Sequence, residues 1–437
     1  MGKKATAVFM IFCIAAFLLC SCSDSLQEDL SEASQEEERK ETVTLRFAWW
    51  GNEERAEKTN QAVVLFMEKN PDIIVKTVSF PFDEYVENLD ISAKTGYIPD
   101  VWQGYVGTDG NYMDAGLVEP LDELVSQGAL RVTDIPENLL RSGKIGEKLY
   151  GIPFGCNVKC MAIDSKIYES VGLQIPEKYY ESWDALGEDL ALLAEKEQRP
   201  MAGDIFHRGF LFEYFCRQRG ETVYGQTGQP AIGFSEETYV DYYEKKLQWD
   251  AAGWCRSYED IFREKNTGKA SDDEKYAVYT LYSNQYRQLC EKTGQELELI
   301  LLPGPDTDKG TDIRPGSHLC ISSVSEHKEE AARLIDFLIN DEEANRIMGI
   351  ERGIPVSNKV RDALMPELDE ESKAMAMIVE LAEECSSPGS PVRDMDTSSI
   401  DDDVTGGMLE DLEQKIMFRQ LTPEEAYRIL YEKYGQN

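Results

Sequence analysis

The sequence predicts an α/β fold in two domains, and three observations carry that expectation. Runs of alternating β-formers recur between helical stripes in the order strand, helix, strand, helix, strand, which is the rhythm of βαβ units on a parallel sheet. The chain has 437 residues, a length for which two domains are a fair expectation, and 42% of them are hydrophobic, enough for real cores. Two Gly/Pro-rich breaks, at 303–316 (PGPDTDKGTDIRPG) and 386–391 (SSPGSP), are candidate crossings between domains.

The elements follow in order. Residues 42–49 (TVTLRFAW) alternate and form the first strand, which runs into Trp50-Gly51-Asn52-Glu53. A helix with Val63, Phe66 and Met67 on one face follows and stops at Asn70-Pro71. Ile73, Val75 and Thr77 mark one face of a second strand over 73–80. A helix over 85–94 closes at Gly96, and Asp100-Val101-Trp102 reads as a short buried strand. Further on, Ala331, Leu334, Ile335 and Leu338 make one helical stripe. Asn340 with Glu343 is expected to cap the next helix, ending at Gly349. Thr422-Pro423-Glu424-Glu425 is a strong helix start, with Ala426, Ile429 and Leu430 as its apolar face and Gly435 near its end. There is no internal repeat.

The N-terminus reads as an address. Lys3 and Lys4 precede an apolar run over 7–19, too short to span a bilayer as an ordinary helix and the length of a signal-peptide core. It ends in Leu19-Cys20-Ser21-Cys22, which resembles a bacterial lipobox; the resemblance implies cleavage after Ser21 and a lipid on Cys22. A plain signal peptide or an uncleaved anchor is the alternative. Residues 23–42 (SDSLQEDLSEASQEEERKET) are too polar to order themselves and read as an acidic tether.

Composition excludes several classes. The formal net charge is -37, from 82 acidic and 45 basic residues, a field that repels nucleic acid and anionic membrane surface. His207, His318 and His327 are the three histidines; none stands at metal-ligand spacing, and imidazole catalysis is poorly supplied. The seven cysteines beyond the N-terminal segment are scattered, odd in number, and read as buried thiols rather than a disulfide framework. No nucleophile elbow, zinc motif or phosphate-binding glycine loop is present. No cofactor or metal is expected, and the chain is expected to be monomeric.

The motifs then become recognisable in sequence. Leu45-Arg46-Phe47-Ala48-Trp49-Trp50-Gly51 leads to FMEKNPDIIVK, GYIPDVWQG, DAGLVEPLDELV, KLYGIPFGCNVKCMAIDSKIYESVGL, ILLPGPDTDKG and EHKEEAARLIDFLINDEEANRIMGIERGIPVS. Taken in this order, behind a lipobox and over nearly all of 43–437, they resemble the family 1 extracellular solute-binding proteins, the maltose-binding-protein-like receptors of ABC importers. Two departures stand out: Ala162-Ile163-Asp164-Ser165-Lys166 near the first hinge, and Ile400-Asp401-Asp402-Asp403-Val404 where a late helix often brings an aromatic. The resemblance implies a periplasmic-binding-protein-like fold: two α/β lobes, a hinge and an interlobe ligand cleft. The expected organisation is signal peptide 1–21, lipidated cysteine and tether 22–42, lobe 1 from 43–160 plus 317–390, and lobe 2 from 161–316 plus 391–437. It also implies a lipid-anchored receptor on the extracellular face, either on a Gram-positive surface or on the periplasmic side, that passes a sugar or short oligosaccharide to permease subunits.

A sugar site needs aromatic plates and polar groups that fix hydroxyls. In open α/β sheets the crevice lies beyond the carboxyl ends of the strands, where Trp50-Gly51-Asn52-Glu53 and Gln103-Gly104-Tyr105 stand. Trp49 and Trp50 point to opposite faces of a strand; Trp50 is favoured as ligand-facing, with the reverse open. Asn52 and Glu53 either bond hydroxyls or cap the helix. Tyr105 and Tyr282 match positions where the family stacks aromatics, and Asn157 and Trp254 are further candidates. Asp401, Asp402 and Asp403 either line the cleft or start a solvated helix. The competing ligand is a cation such as a polyamine, for which Glu53 or the aspartate run would dominate. A secreted glycoside hydrolase, needing two positioned carboxylates, is the more distant alternative.

Overall fold

A computed structural model describes residues 42–104, 112–113, 115–224, 231–267, 275–387 and 407–435. The proposed signal sequence, Cys22, the tether, Tyr105 and the Asp401, Asp402 and Asp403 run lie outside the described residues.

Two sheets organise the chain. Strands β1 (Val43–Trp50), β2 (Ile73–Phe80) and β3 (Val101–Gly104) pair in parallel, with Phe47 opposite Val101 and Trp50 opposite Phe80. Helices α1 (Glu53–Lys69) and α2 (Phe82–Thr95) make the two crossovers, as the alternating pattern requires. α1 buries Ala62, Val63 and Phe66, and α2 ends on Gly96 in the left-handed conformation. A small hairpin, β4 (Lys144–Ile145) and β5 (Lys148–Leu149), precedes β6 (Gly151–Pro153). The first sheet runs β2-β1-β3-β11-β6, where β11 (His318–Ile321) is antiparallel to both neighbours.

The second sheet centres on β7 (Cys156–Asp164), whose nine residues are all buried. β8 (Val278–Tyr282) lies on one side; β9 (Leu297–Leu301) and β10 (Ile313–Pro315) share the other. All three are antiparallel to β7, so the expected parallel βαβ rhythm applies to the first three strands only. The reason is connectivity: among the described residues between β7 and β8 stand the helices Trp183–Glu197, Arg208–Gln218, Glu236–Ala252 and Tyr258–Thr267, together with the short Ser165–Val171, and no strand of the sheet.

Each sheet has its own helical cover. In the first, Ala331, Leu334, Ile335 and Leu338 of helix Lys328–Asn340 are fully buried, packing with Phe47, Trp49 and Phe66. In the second, an aromatic core forms around Trp183, Phe206, Phe212, Tyr242, Tyr243 and Trp249, with Phe206 and Trp249 edge to face at 4.9 Å. Helix Pro423–Tyr434 closes it through the expected capping box between Thr422 and Glu425. Two local expectations fail. Asp341, not Asn340, caps helix Glu342–Met348, because Asn340 is still the last residue of the preceding helix and its amide bonds back to Asp336. Ile429 is 39% exposed, since the helix leans on the core through Ala426, Tyr427 and Leu430 instead. The seven described cysteines are free, five of them fully buried; burial pushes the Cys156 thiol up to about 12.

The two sheets are joined by a pair of antiparallel crossings. β6 runs through Phe154-Gly155 into β7, and β10 runs through Gly316-Ser317 into β11. They hydrogen-bond where they pass: Gly316 N donates to Gly155 O at 2.7 Å and Phe154 N to Ser317 O at 2.8 Å. A third segment, Glu351 to Ile354, lies against them, with Ile354 and Cys156 exchanging backbone bonds of 2.9 Å. Gly155 (φ +73°) is confined to glycine twice over, because a Cβ there would stand 2.1 Å from Arg352 O.

Candidate functional site

A cleft of about 490 Å³ opens where the crossings meet the ends of both sheets. Its walls are Arg55 from α1, Gln103 from the end of β3, Asn157 from the start of β7, Tyr282, Asn284 and Gln285 after β8, Arg314 to Ser317 on the second crossing, and Glu351 and Arg352. A second opening of about 270 Å³ shares Arg55, Asn157, Asn284 and Glu351 and adds Arg287. A larger groove, about 630 Å³ beside helix Lys328–Asn340, holds Lys69, Arg131, Arg333 and Arg346. Those cations are paired with Asp341, Asp336, Asp72 and Glu367 respectively, which leaves little for a ligand to satisfy.

The cleft combines amides and hydroxyls with arginines. Asn157 is 8% exposed and Gln103 is 1% exposed, and the Oδ1 and Oε1 of these two side chains have no donor among the described residues. Arg352 is 8% exposed; its Nη2 donates to Thr59 Oγ1 at 2.7 Å and its guanidinium stands 4.9 Å from the Phe154 ring centre, but its Nε and Nη1 have no acceptor among the described residues. Arg55 Nη2 donates to the Glu351 carbonyl at 2.6 Å, while its Nε is likewise unpaired. Burial, and then the adjacent Arg55 charge, pull the Arg352 guanidinium down to about 9, with Glu351 opposing; it remains a cation at neutral pH. Arg55 is lowered too, by burial against the pull of Glu351.

Arg314 is in the opposite state. It bonds Asp312 Oδ2 at 2.9 Å and pairs with Glu213, which also accepts from Lys159 Nζ at 3.0 Å. Burial would lower Arg314, and these acids outweigh it, raising its affinity for the proton. Arg287 is held by Asp369 and Ser372.

The structure brings Asn157 and Tyr282 together in the cleft. Of the other candidates, those among the described residues do not line these two openings. Asn52 is the cap of α1, its Oδ1 accepting from Arg55 N at 2.8 Å, and Glu53 is an exposed residue of the first turn, where a carboxylate suits the helix dipole. Trp49 is fully buried in the first core, and Trp50 is half-buried, 5.5 Å from Phe82 and 5.4 Å from Tyr85, in an aromatic group at the end of β1. Trp254 is a correction: it packs 5.9 Å from Trp249 in the second core, drawn there by the largest apolar cluster near its loop. Sequence reasoning passed over Arg55, Arg314 and Arg352. Their signal was weak, since arginines are ordinary surface residues, although Arg352 beside Gly353 in the ERGIP stretch is a charged residue at a tight backbone crossing.

Two α/β lobes, joined by hydrogen-bonded crossings and enclosing a polar cleft at the hinge, define a solute-binding receptor fold. Residues 50–345 match the model of the bacterial extracellular solute-binding protein family, and the chain belongs to that family. Among curated relatives, a multiple sugar-binding protein of Streptococcus mutans is 21% identical over 377 residues, covering 82% of this chain and 83% of that protein. Among solved structures, a family 1 extracellular solute-binding protein from Alicyclobacillus acidocaldarius is 24% identical with a TM-score of 0.78, covering 91% of this chain and 98% of that one. A periplasmic oligogalacturonide binding protein from Yersinia enterocolitica is 21% identical with a TM-score of 0.72, covering 90% and 98%. The family is one of binding proteins, not enzymes.

Proposed function

We propose that the protein captures a sugar or short oligosaccharide between its lobes and delivers it to the permease of an ABC importer, held at the extracellular face of the membrane by a lipid on Cys22. The observation that carries this reading is the cleft itself. It stands at the hinge and presents amides and a hydroxyl (Gln103, Asn157, Asn284, Gln285, Ser317) beside Tyr282, the mixture of flat apolar area and fixed hydrogen bonds that a saccharide requires. We set the lobe limits at the crossings, which moves the first from 160 to about 155: 43–155 and the stretch from 317 begin the first lobe, and 156–316 makes the second sheet and its helices. Helix Glu370–Glu384 rests on β7, β9 and β10, so it belongs beside the second sheet. Against the cation reading, the arginines outnumber Glu351, the one carboxylate among the described cleft residues, while the Asp401, Asp402 and Asp403 run lies outside them. That same scarcity of carboxylates argues against glycoside hydrolysis, which needs a pair.

The test is a thermal-shift screen of the full chain against neutral and acidic saccharides and polyamines. A ligand bound to the native state adds RT ln(1 + [L]/Kd) to its stability. X-ray scattering with the best ligand should show a smaller radius of gyration as the lobes close. A tight ligand that leaves the radius unchanged refutes a closing receptor. For the anchor, Cys22→Ser should move the protein from membrane to medium; unchanged retention refutes the lipid.

A further inference from the structure

The charge distribution inside the cleft runs against that of the protein. The chain carries a formal charge of -37, yet the cleft holds Arg55, Arg287, Arg314 and Arg352 against Glu351. The four arginines differ in how they are compensated. Arg314 has Asp312 and Glu213, and Arg287 has Asp369 and, at 4.0 Å, Glu371. Among the described residues, the side chains of Arg55 and Arg352 have only neutral hydrogen-bond partners, the Glu351 carbonyl and Thr59 Oγ1. Glu351 itself is drawn partly toward Lys58 at 3.8 Å, while Lys58 pairs with Glu54 at 2.8 Å. Two like charges, Arg352 buried and Arg55 half-buried, that share a cleft with a single carboxylate are costly unless something else neutralises them.

We propose that Arg55 and Arg352 form an anion subsite in the cleft and that the captured solute is a saccharide bearing a carboxylate, a uronic acid or an oligomer of one. This rests on the saccharide-receptor reading and deepens it. With Lys58 and Glu54 cancelling, Arg55, Arg352 and Glu351 sum to one positive charge, which a single carboxylate neutralises and a phosphate dianion overshoots. Guanidinium N–H groups form charge-assisted hydrogen bonds to a carboxylate, and Arg352 Nε and Nη1 and Arg55 Nε are donors with no acceptor among the described residues. Asn157 Oδ1 and Gln103 Oε1 supply acceptors for hydroxyl groups in the same space.

The position of Arg352 couples this subsite to the hinge. Its carbonyl lies where a Cβ on Gly155 or on Gly316 would fall, at 2.1 and 2.5 Å, so its backbone is wedged against both crossings. Arg55, by contrast, rides on α1 of the first lobe. An anion bridging the two guanidinium groups therefore ties α1 to the crossings and removes a repulsion that the ligand-free protein carries.

The experiment is calorimetric titration of the full chain with digalacturonate, its uncharged methyl ester, galactobiose and glucose 6-phosphate, at low and high salt. It is repeated on Arg352→Gln, Arg55→Gln and Arg352→Lys, with unliganded melting temperatures as a check on folding. Digalacturonate should bind at least about tenfold tighter than either neutral disaccharide, and Arg352→Gln should remove that preference while Arg352→Lys restores part of it. Unliganded Arg352→Gln should melt no lower than wild type, because it removes one of two like charges that share the cleft; a structural arginine would melt lower. If a neutral sugar binds as tightly as digalacturonate and neither glutamine variant changes it, the anion subsite is overturned and the saccharide receptor stands. Preference for glucose 6-phosphate overturns the carboxylate assignment. Binding of none of the four, in a protein that a polyamine stabilises, overturns both readings.

Discussion

Substituting Lys246 tests how the second lobe holds the end of the chain. Lys246 lies on helix Glu236–Ala252, 5% exposed, and its Nζ donates to Glu413 Oε1 at 3.0 Å and to the Phe206 carbonyl at 2.9 Å. Glu413, 7% exposed on helix Met408–Met417, also accepts from the Tyr243 hydroxyl at 3.2 Å. Lys246→Met keeps the length and apolar stem of the side chain but takes from the buried Glu413 carboxylate its ammonium partner. Removing one partner of a buried pair costs about 3–5 kcal/mol, whereas replacing both by apolar groups is about neutral. The expected loss for Lys246→Met is therefore about 3 kcal/mol or more, and Lys246→Met with Glu413→Leu should recover most of it. Urea unfolding followed by tryptophan fluorescence measures both, with the linear slope checked for two-state behaviour. A single-variant loss below about 1 kcal/mol, or a double variant no better than the single, refutes the claim that this pair, and not the surrounding aromatics, fixes helix Met408–Met417.

Three further outcomes follow from geometry already described. Gly155→Ala should destabilise by more than the usual cost of about 1 kcal/mol for a strained φ, because its Cβ would overlap Arg352 O; a melting temperature equal to wild type refutes the tight crossing. Burial would raise the Glu213 carboxyl, but the charges of Lys159 and Arg314 outweigh it and hold it well below its ordinary value. Its stabilisation is thus present above the unfolded pKa of about 4.3 and fades as pH falls below it, so the stability gap between wild type and Glu213→Gln should narrow in acid; a gap independent of pH contradicts the pairing. Thr422→Ala removes the cap of helix Pro423–Tyr434 and should cost about 1 kcal/mol in urea unfolding, and a neutral result shows that the helix is fixed by packing alone.

What was legible in the sequence is whatever local pattern dictates. β1, α1, β2, α2 and β3 follow from strand alternation and helical stripes, and the Thr422 capping box from four adjacent residues. The second sheet was not legible in the same way, because its order is set by where the chain returns more than a hundred residues later, and no periodicity encodes that. The site divides along the same line. Tyr282 was singled out by the family resemblance and Asn157 as a further candidate, and both line the cleft. Arg55, Arg314 and Arg352 come from three distant segments, and only the crossing of Gly155 past Gly316 brings them together. Trp254 misled because an aromatic near a strand end has the same appearance in sequence whether it meets a ligand or, as here, Trp249.

The threading of β11 between β3 and β6 also sets an order of assembly. Leu319 pairs with Gln103 on one side and Ile152 on the other, so a strand near residue 320 completes a sheet whose neighbours were synthesised more than 160 residues earlier. Until it arrives, β3 and β6 have open edges facing each other, and the first lobe cannot close its core however long its N-terminal half has existed. The emerging chain is thereby kept from completing a folded lobe through most of its synthesis. Both sheets gain their last strand within a few residues of each other, as β10 and β11 are laid down in succession across the hinge.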